Sequence, residues 1–134
     1  MKITNIEHIG IAVKNVKEAI NFYENILGSK CYGTEVIEDQ NVKTAFFKLG
    51  QTKIELLETT EPDGPVGKFI EKKGEGIHHI AFAVKDIEQS IRDAESQGIK
   101  LINNTPHPGA EGFEIVFLHP KSTGGVLIEL CKKK

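Results

Sequence analysis

The sequence predicts an α+β fold: two βαβββ modules in tandem whose strands form one curved, mostly antiparallel sheet around a cleft. Two observations carry that prediction. The chain repeats itself once, and each copy runs through the same order of strand, capped helix and further extended segments. Residues 6–20 read IEHIGIAVKNVKEAI and residues 77–91 read IHHIAFAVKDIEQSI. At an offset of 71, seven of the fifteen pairs are identical: Ile6/Ile77, His8/His79, Ile9/Ile80, Ala12/Ala83, Val13/Val84, Lys14/Lys85 and Ile20/Ile91. A later echo sets Lys53-Ile54-Glu55-Leu56-Leu57 against Leu127-Ile128-Glu129-Leu130-Cys131. A unit this long does not suit a solenoid, and two copies read as a duplicated module sharing one core. The first module covers about 1–60, the linker about 61–75 and the second module about 76–134, all within one domain.

Each module begins with strand alternation, Ile9, Ile11 and Val13 on one face and His8, Gly10 and Ala12 on the other. A helix follows, capped by Asn15 with Glu18 at the capping-box position. Its apolar stripe is Val16, Ala19, Ile20, Tyr23, Ile26 and Leu27, and Gly28 stands where a left-handed terminal residue belongs. Extended segments are expected over Lys30–Glu38, Val42–Leu49 and Thr52–Glu58. The linker is loop around one short amphipathic helix, Val66–Lys73. In the second module Asp86 caps a helix with stripe Ile87, Ile91 and Ala94, ended by Gly98. Strands are then expected at Lys100–Ile102, Phe113–His119 and Val126–Cys131, the last two joined through Gly124-Gly125.

The composition is that of an ordinary soluble domain. The 134 residues are 39% hydrophobic and 27% charged, with 17 basic and 19 acidic side chains. A net charge of −2 argues against a sequence-blind nucleic-acid binder, which needs a basic surplus. No apolar run approaches the roughly 20 residues that cross a bilayer, and no signal-peptide stretch opens the chain. Cys31 and Cys131 cannot make a disulfide framework and fit the reducing cytoplasm as half-buried fillers.

The parity of the strands places the chemistry. His8 shares its face with Gly10 and Ala12, and His79 shares its face with Ala81 and Ala83. Small residues beside a histidine leave room for something that is not protein. Glu55 and Glu129 lie mid-strand between apolar or aliphatic neighbours, where a carboxylate is costly to bury unless it faces a cation. Alone, each residue has a plain reading: a satisfied strand histidine, a solvated edge carboxylate. The duplicated placement makes the four a divalent-metal set of imidazole nitrogens and carboxylate oxygens, suited to Co, Ni, Mn, Fe or Zn rather than Ca. By the same parity His78 faces away from His79 and serves packing or hydrogen bonding. His107, in a Pro-Gly loop, and His119, before Pro120, read as loop and turn residues.

The duplicated module with these ligands resembles the vicinal oxygen chelate superfamily, which includes glyoxalase I. Within it, nearly the whole chain is similar to the methylmalonyl-CoA epimerase family. The most specific stretches are Asn5–Val13, the linker from Gly64 to Ile80, and Phe117–Leu130 with its His119-Pro120-Lys121-Ser122-Thr123-Gly124-Gly125 run. The resemblance implies interconversion of the (2R) and (2S) epimers of methylmalonyl-CoA by α-proton abstraction through a metal-stabilised enolate. It implies His8, His79 and Glu129 as metal ligands, with Glu129 also one of the two acid–base groups; Glu55 completes the four-ligand set read from the strands and is a candidate for the other acid–base group. It also implies an acyl-CoA substrate, a homodimer and a divalent ion, cobalt first, with nickel, manganese, zinc or iron as the others. Lys68, Lys72, Lys73 and Lys121 are candidates for the coenzyme A phosphates.

Two positions depart from the family pattern. Some members carry Gln where this chain has Glu55, and a second catalytic Glu where this chain has Thr44. Threonine is no general base near neutral pH, so the opposite base is Glu55 itself, Glu111, Glu114 or a water held by the ion. Three other readings share the scaffold. A glyoxalase I-like lactoylglutathione lyase uses the same two-His, two-Glu set. An extradiol dioxygenase needs redox-active iron, three protein ligands and usually a longer chain. A non-catalytic binding or resistance protein needs no metal ligands at all.

Overall fold

A computed structural model describes residues 1–134 and arranges the strands in one eight-stranded sheet. In chain order these are β1 (Ile3–Ala12), β2 (Gly33–Ile37), β3 (Val42–Leu49), β4 (Thr52–Thr59), β5 (Gly76–Val84), β6 (His107–Pro108), β7 (Phe113–Leu118) and β8 (Ile128–Lys133). The helices are α1 (Val16–Leu27), α2 (Pro65–Lys73) and α3 (Ile87–Ser96). Across the sheet the order is β2-β3-β4-β1-β5-β8-β7-β6. The two halves of that order mirror each other and meet along the antiparallel β1–β5 pair. Only β1–β4 and β5–β8 run parallel, as a strand–helix crossover requires.

The helices form where capping chemistry and apolar periodicity agree. Asn15 Oδ1 accepts a hydrogen bond from the Glu18 N–H at 3.0 Å, and Glu58 accepts from the Val16 N–H at 2.7 Å, so α1 starts with its free donors satisfied. Asp86 accepts from the Gln89 N–H at 3.0 Å and repeats the device for α3. Gly28 ends α1 at φ 64°, a left-handed conformation open to glycine without steric cost. Val13, Val16, Ala45, Phe47 and Leu56 form the core under α1, while Val84, Ile87, Ile91, Ala94, Val116, Leu118 and Leu130 form the one under α3. Val66 of α2 packs with Ala12, Ile37, Val42 and Leu57 on the opposite side of the sheet, at the cleft.

Two sequence expectations are corrected. Ile26, assigned to the buried stripe of α1, is 60% exposed, because the contact face closes with Tyr23 and Leu27. Only Leu101 of the expected strand Lys100–Ile102 forms a bridge, to Leu118. The Asn103 side chain then accepts from the Thr105 N–H, a turn that ends the pairing. The edge strand is instead the two-residue β6, His107 opposite Ile115 and Pro108 opposite Glu114. A turn of 3-10 helix, Ala110–Gly112, carries the sheet's far end back to β2: the Glu111 N–H donates to Glu35 at 2.9 Å. No helix is long and apolar enough to cross a membrane.

Candidate metal centre

Strand register brings the repeat-related residues into two rows. Gly10 of β1 stands opposite Glu55 of β4 on one side and His79 of β5 on the other. Ala81 of β5 stands opposite His8 of β1 and Glu129 of β8. Each row is therefore Glu, small residue, His, and each joins the carboxylate of one module to the imidazole of the other. All four polar residues are buried. The small residue is a steric requirement: a Cβ on Gly10 would lie 2.6 and 2.9 Å from Nδ1 and Nε2 of the His79 ring.

His8, His79 and Glu129 converge. The two Nε2 atoms are 3.0 Å apart, His79 Nε2 is 3.2 Å from Glu129 Oε1, and His8 Nε2 is 3.6 Å from Glu129 Oε2. Donor atoms about 2.1 Å from one ion and at right angles to each other are spaced about 3 Å apart, so this trio fits a transition-metal shell. Glu55 approaches from the other side of the same ring, 3.3 Å from His8 Nδ1. His8 is thus shared by two acidic or imidazole clusters, His8–His79–Glu129 and Glu7–His8–Glu55.

Glu7 was invisible to parity reasoning, which puts neighbours on opposite faces. The β1–β5 register skips it: Ile6 pairs with Phe82 and His8 with Ala81, so Glu7 is the extra residue of a β-bulge. The bulge turns its carboxylate inward, 2.7 Å from His8 Nδ1 and 2.7 Å from Lys53 Nζ. Lys53 is in turn 2.8 Å from Glu111. A second irregularity skips His78, between Gly10–His79 and Ile11–Ile77. His78 therefore does not face away from His79: its Nδ1 is 3.0 Å from His79 Nδ1, while its ring packs edge-on against Phe69. His107 sits on the edge strand beside Asn103, and His119 Nδ1 accepts from the Lys121 N–H; neither lines the cleft.

The site concentrates buried charge. Glu7, Glu55 and Glu129 are three buried carboxyl groups against one buried ammonium, Lys53, so their charge is balanced either by protons on Glu55 and His8 or by a bound cation. The titration behaviour carries the same strain. Burial pushes the Glu55 carboxyl up to about 8, with Glu129 adding to the effect and His8 opposing it. Burial also opposes ionisation of Glu129, yet the His8 and His79 rings outweigh it and hold that carboxyl at about 2. Burial disfavours a charged His8, but Glu129, Glu7 and Glu55 together raise its pKa to about 10. A divalent ion, which would displace those protons, fits this donor set of imidazole nitrogens and carboxylate oxygens.

A narrow cleft lies over these residues. Thr44, Leu57, Val66, Phe113, Ile115 and Phe117 line it, with Glu7, Glu55 and Glu129 as its carboxylates. Neither Glu111 nor Glu114 lines it, and the Glu111 carboxylate is held by Lys53 and the Tyr32 hydroxyl. Of the candidates for an opposite base, Glu55 alone faces the cleft.

The fold defines a duplicated-module protein with a candidate metal site in its cleft, and comparison with known proteins places that fold. Residues 7–117 match the Glyoxalase/Bleomycin resistance protein/Dioxygenase superfamily. The chain is 44% identical to the uncharacterised protein YqjC of Bacillus subtilis, over 98% of this chain and 94% of that one. It is 37% identical to the mitochondrial methylmalonyl-CoA epimerase of Homo sapiens, over 93% of this chain and 72% of that one. The structure of Streptomyces coelicolor methylmalonyl-CoA epimerase in complex with 2-nitronate-propionyl-CoA superposes with a TM-score of 0.95 at 38% identity, covering 98% of this chain and 96% of that one. The chain belongs to this superfamily and, within it, to the methylmalonyl-CoA epimerase family.

Proposed function

We propose that this enzyme interconverts (2R)- and (2S)-methylmalonyl-CoA at a divalent ion held by His8, His79, Glu129 and Glu55, with Glu129 and Glu55 moving the proton. The observation that carries the reading is the pair of cleft carboxylates, Glu55 from β4 and Glu129 from β8, on either side of His8. When bound, the ion supplies Lewis acidity toward the thioester oxygen, where charge grows as the α-proton leaves. Glu129, held ionised, takes that proton from one face. Glu55, a ligand when ionised and an acid when protonated and unligated, gives its own proton in the latter form to the opposite face of the same carbon. One C–H bond breaks and one forms, so the substrate is inverted without net change. The two carboxyls finish with exchanged protonation and reset through solvent or the reverse reaction. Phe113, Ile115 and Phe117 exclude water from the reacting carbon.

The reading includes one catalytic domain, its modules of about 1–60 and 76–134 sharing the sheet, that works as a homodimer in a reducing cytoplasm. Both cysteines are unpaired, in keeping with that compartment. Cobalt leads the candidate ions, followed by nickel, manganese, zinc and iron.

The test is solvent exchange at the α-carbon of methylmalonyl-CoA in D2O. Wild-type protein with a divalent ion should incorporate deuterium, chelator should stop it, and Glu129→Gln should retain some metal yet lose most exchange. Absence of exchange in the metal-loaded protein would reject the epimerase reading. The two-Glu set also suits a glyoxalase I-like lyase, so the methylglyoxal–glutathione hemithioacetal belongs in the same assay; turnover there and not with the thioester would favour that activity.

A further inference from the structure

Glu7 and His78 are buried or half-buried polar groups in the cleft wall that the proposed chemistry does not use. They occupy the same place in the repeat, an offset of 71 apart, each immediately before a candidate ligand histidine. In both strands the sheet register skips them, so both sit in bulges. Both then do the same thing. Glu7 Oε1 is 2.7 Å from Nδ1 of His8, and His78 Nδ1 is 3.0 Å from Nδ1 of His79.

A neutral imidazole carries one ring proton. If a neighbour accepts a hydrogen bond from that proton at Nδ1, the lone pair is left on Nε2, and the ring can no longer turn over freely. For both rings Nε2 is the nitrogen aimed at the other histidine and at Glu129, the two Nε2 atoms being 3.0 Å apart. The Glu7 carboxylate is itself pinned by Lys53 at 2.7 Å, and Lys53 is held by Glu111 at 2.8 Å and lies over the Phe113 ring. His78 is wedged against Phe69 of α2. Glu55 also approaches His8 Nδ1, at 3.3 Å, but the shorter contact belongs to Glu7.

Resting on the metal reading above, we infer that Glu7 and His78 are positioning residues that each accept a hydrogen bond from the Nδ1–H of the following histidine and so present both Nε2 lone pairs to one ion. The bulges are what make this possible, since regular pleating would turn both residues away from the cleft.

Zinc is the probe, being diamagnetic. In zinc-loaded wild-type protein with 15N-labelled histidine, the ring spectra should show Nδ1 protonated and Nε2 coordinated for both His8 and His79. Coordination through either Nδ1 would overturn the inference without any variant being made. Glu7→Gln and His78→Phe should each raise the zinc dissociation constant about 10–100-fold, the usual effect of removing such a partner, with circular dichroism unchanged. Glu7→Asp, which keeps the charge, should recover part of the loss. Variants binding zinc as tightly as wild type would overturn this inference alone. Wild-type protein that takes up no zinc would overturn the metal reading and this inference with it. Should a variant fail to fold, the wild-type ring spectra still decide.

Discussion

Gly10 is the residue on which the two imidazoles depend most directly. Its φ is not in the left-handed region, so backbone freedom is not the reason for glycine here. The His79 ring lies where a side chain would begin, and even one methyl group would force that ring or the strand to move. Gly10→Ala should destabilise the fold by about 1–3 kcal/mol, the usual range for overpacking, and should weaken ion uptake by displacing His79 Nε2. Denaturant unfolding and a zinc titration check the two effects separately. Retained affinity would mean that His79 does not ligate from its present position. The repeat partner, Ala81, tolerates a Cβ because no imidazole lies over it; His8, its cross-strand neighbour, leans toward Glu129 and Glu7. His8, His79, Glu55 and Glu129 were all legible from strand parity and repetition. Glu7 was not, because a pattern with period two has no way to announce one inserted residue.

At the level of elements, the two βα units use one device with one pair of residue types. Asn15 and Asp86 both stand outside their helices in extended conformation and accept from the N–H three residues on. Replacing either by alanine removes an acceptor from an otherwise unpaired donor. Asn15→Ala should cost about 1 kcal/mol in urea unfolding and leave the cleft chemistry unchanged, since α1 packs on the opposite face of the sheet from the histidines. A loss of activity in the folded variant would show that the helix face and the cleft are coupled. Capping and apolar periodicity are local properties, and so the helices were readable to within a residue or two. The edge of the second module was not. A two-residue strand such as β6 carries no periodicity, and its pairing depends on where β7 happens to lie.

For the whole molecule, the buried charge of the cleft links ion binding to stability. Three carboxylates and a lysine are buried together, and an ion that binds only the folded chain stabilises it by mass action. At an ion concentration a hundredfold above its dissociation constant the gain is about 2.7 kcal/mol. For a chain of this length that corresponds to a rise in Tm of roughly 10 °C. Scanning calorimetry with and without chelator measures it, and coincident transitions would argue that no ion completes the site. The same buried charge sits at the seam between modules, because β1 pairs with β4 of its own half and β5 of the other. Neither half holds all of the candidate ligands.

The amino-acid sequence by itself determined the duplicated α+β architecture, the helices and their caps, and the gathering of His8, Glu55, His79 and Glu129 at one cleft. All of these follow from spacing, alternation and repetition, which are properties of the chain as a line. Only the tertiary structure decided which ring nitrogen faces which carboxylate, that Glu7 and His78 turn inward, and that Glu55 rather than Glu111 reaches the cleft. Those outcomes depend on strand register and on bulges, and register is set by contacts between segments some seventy residues apart.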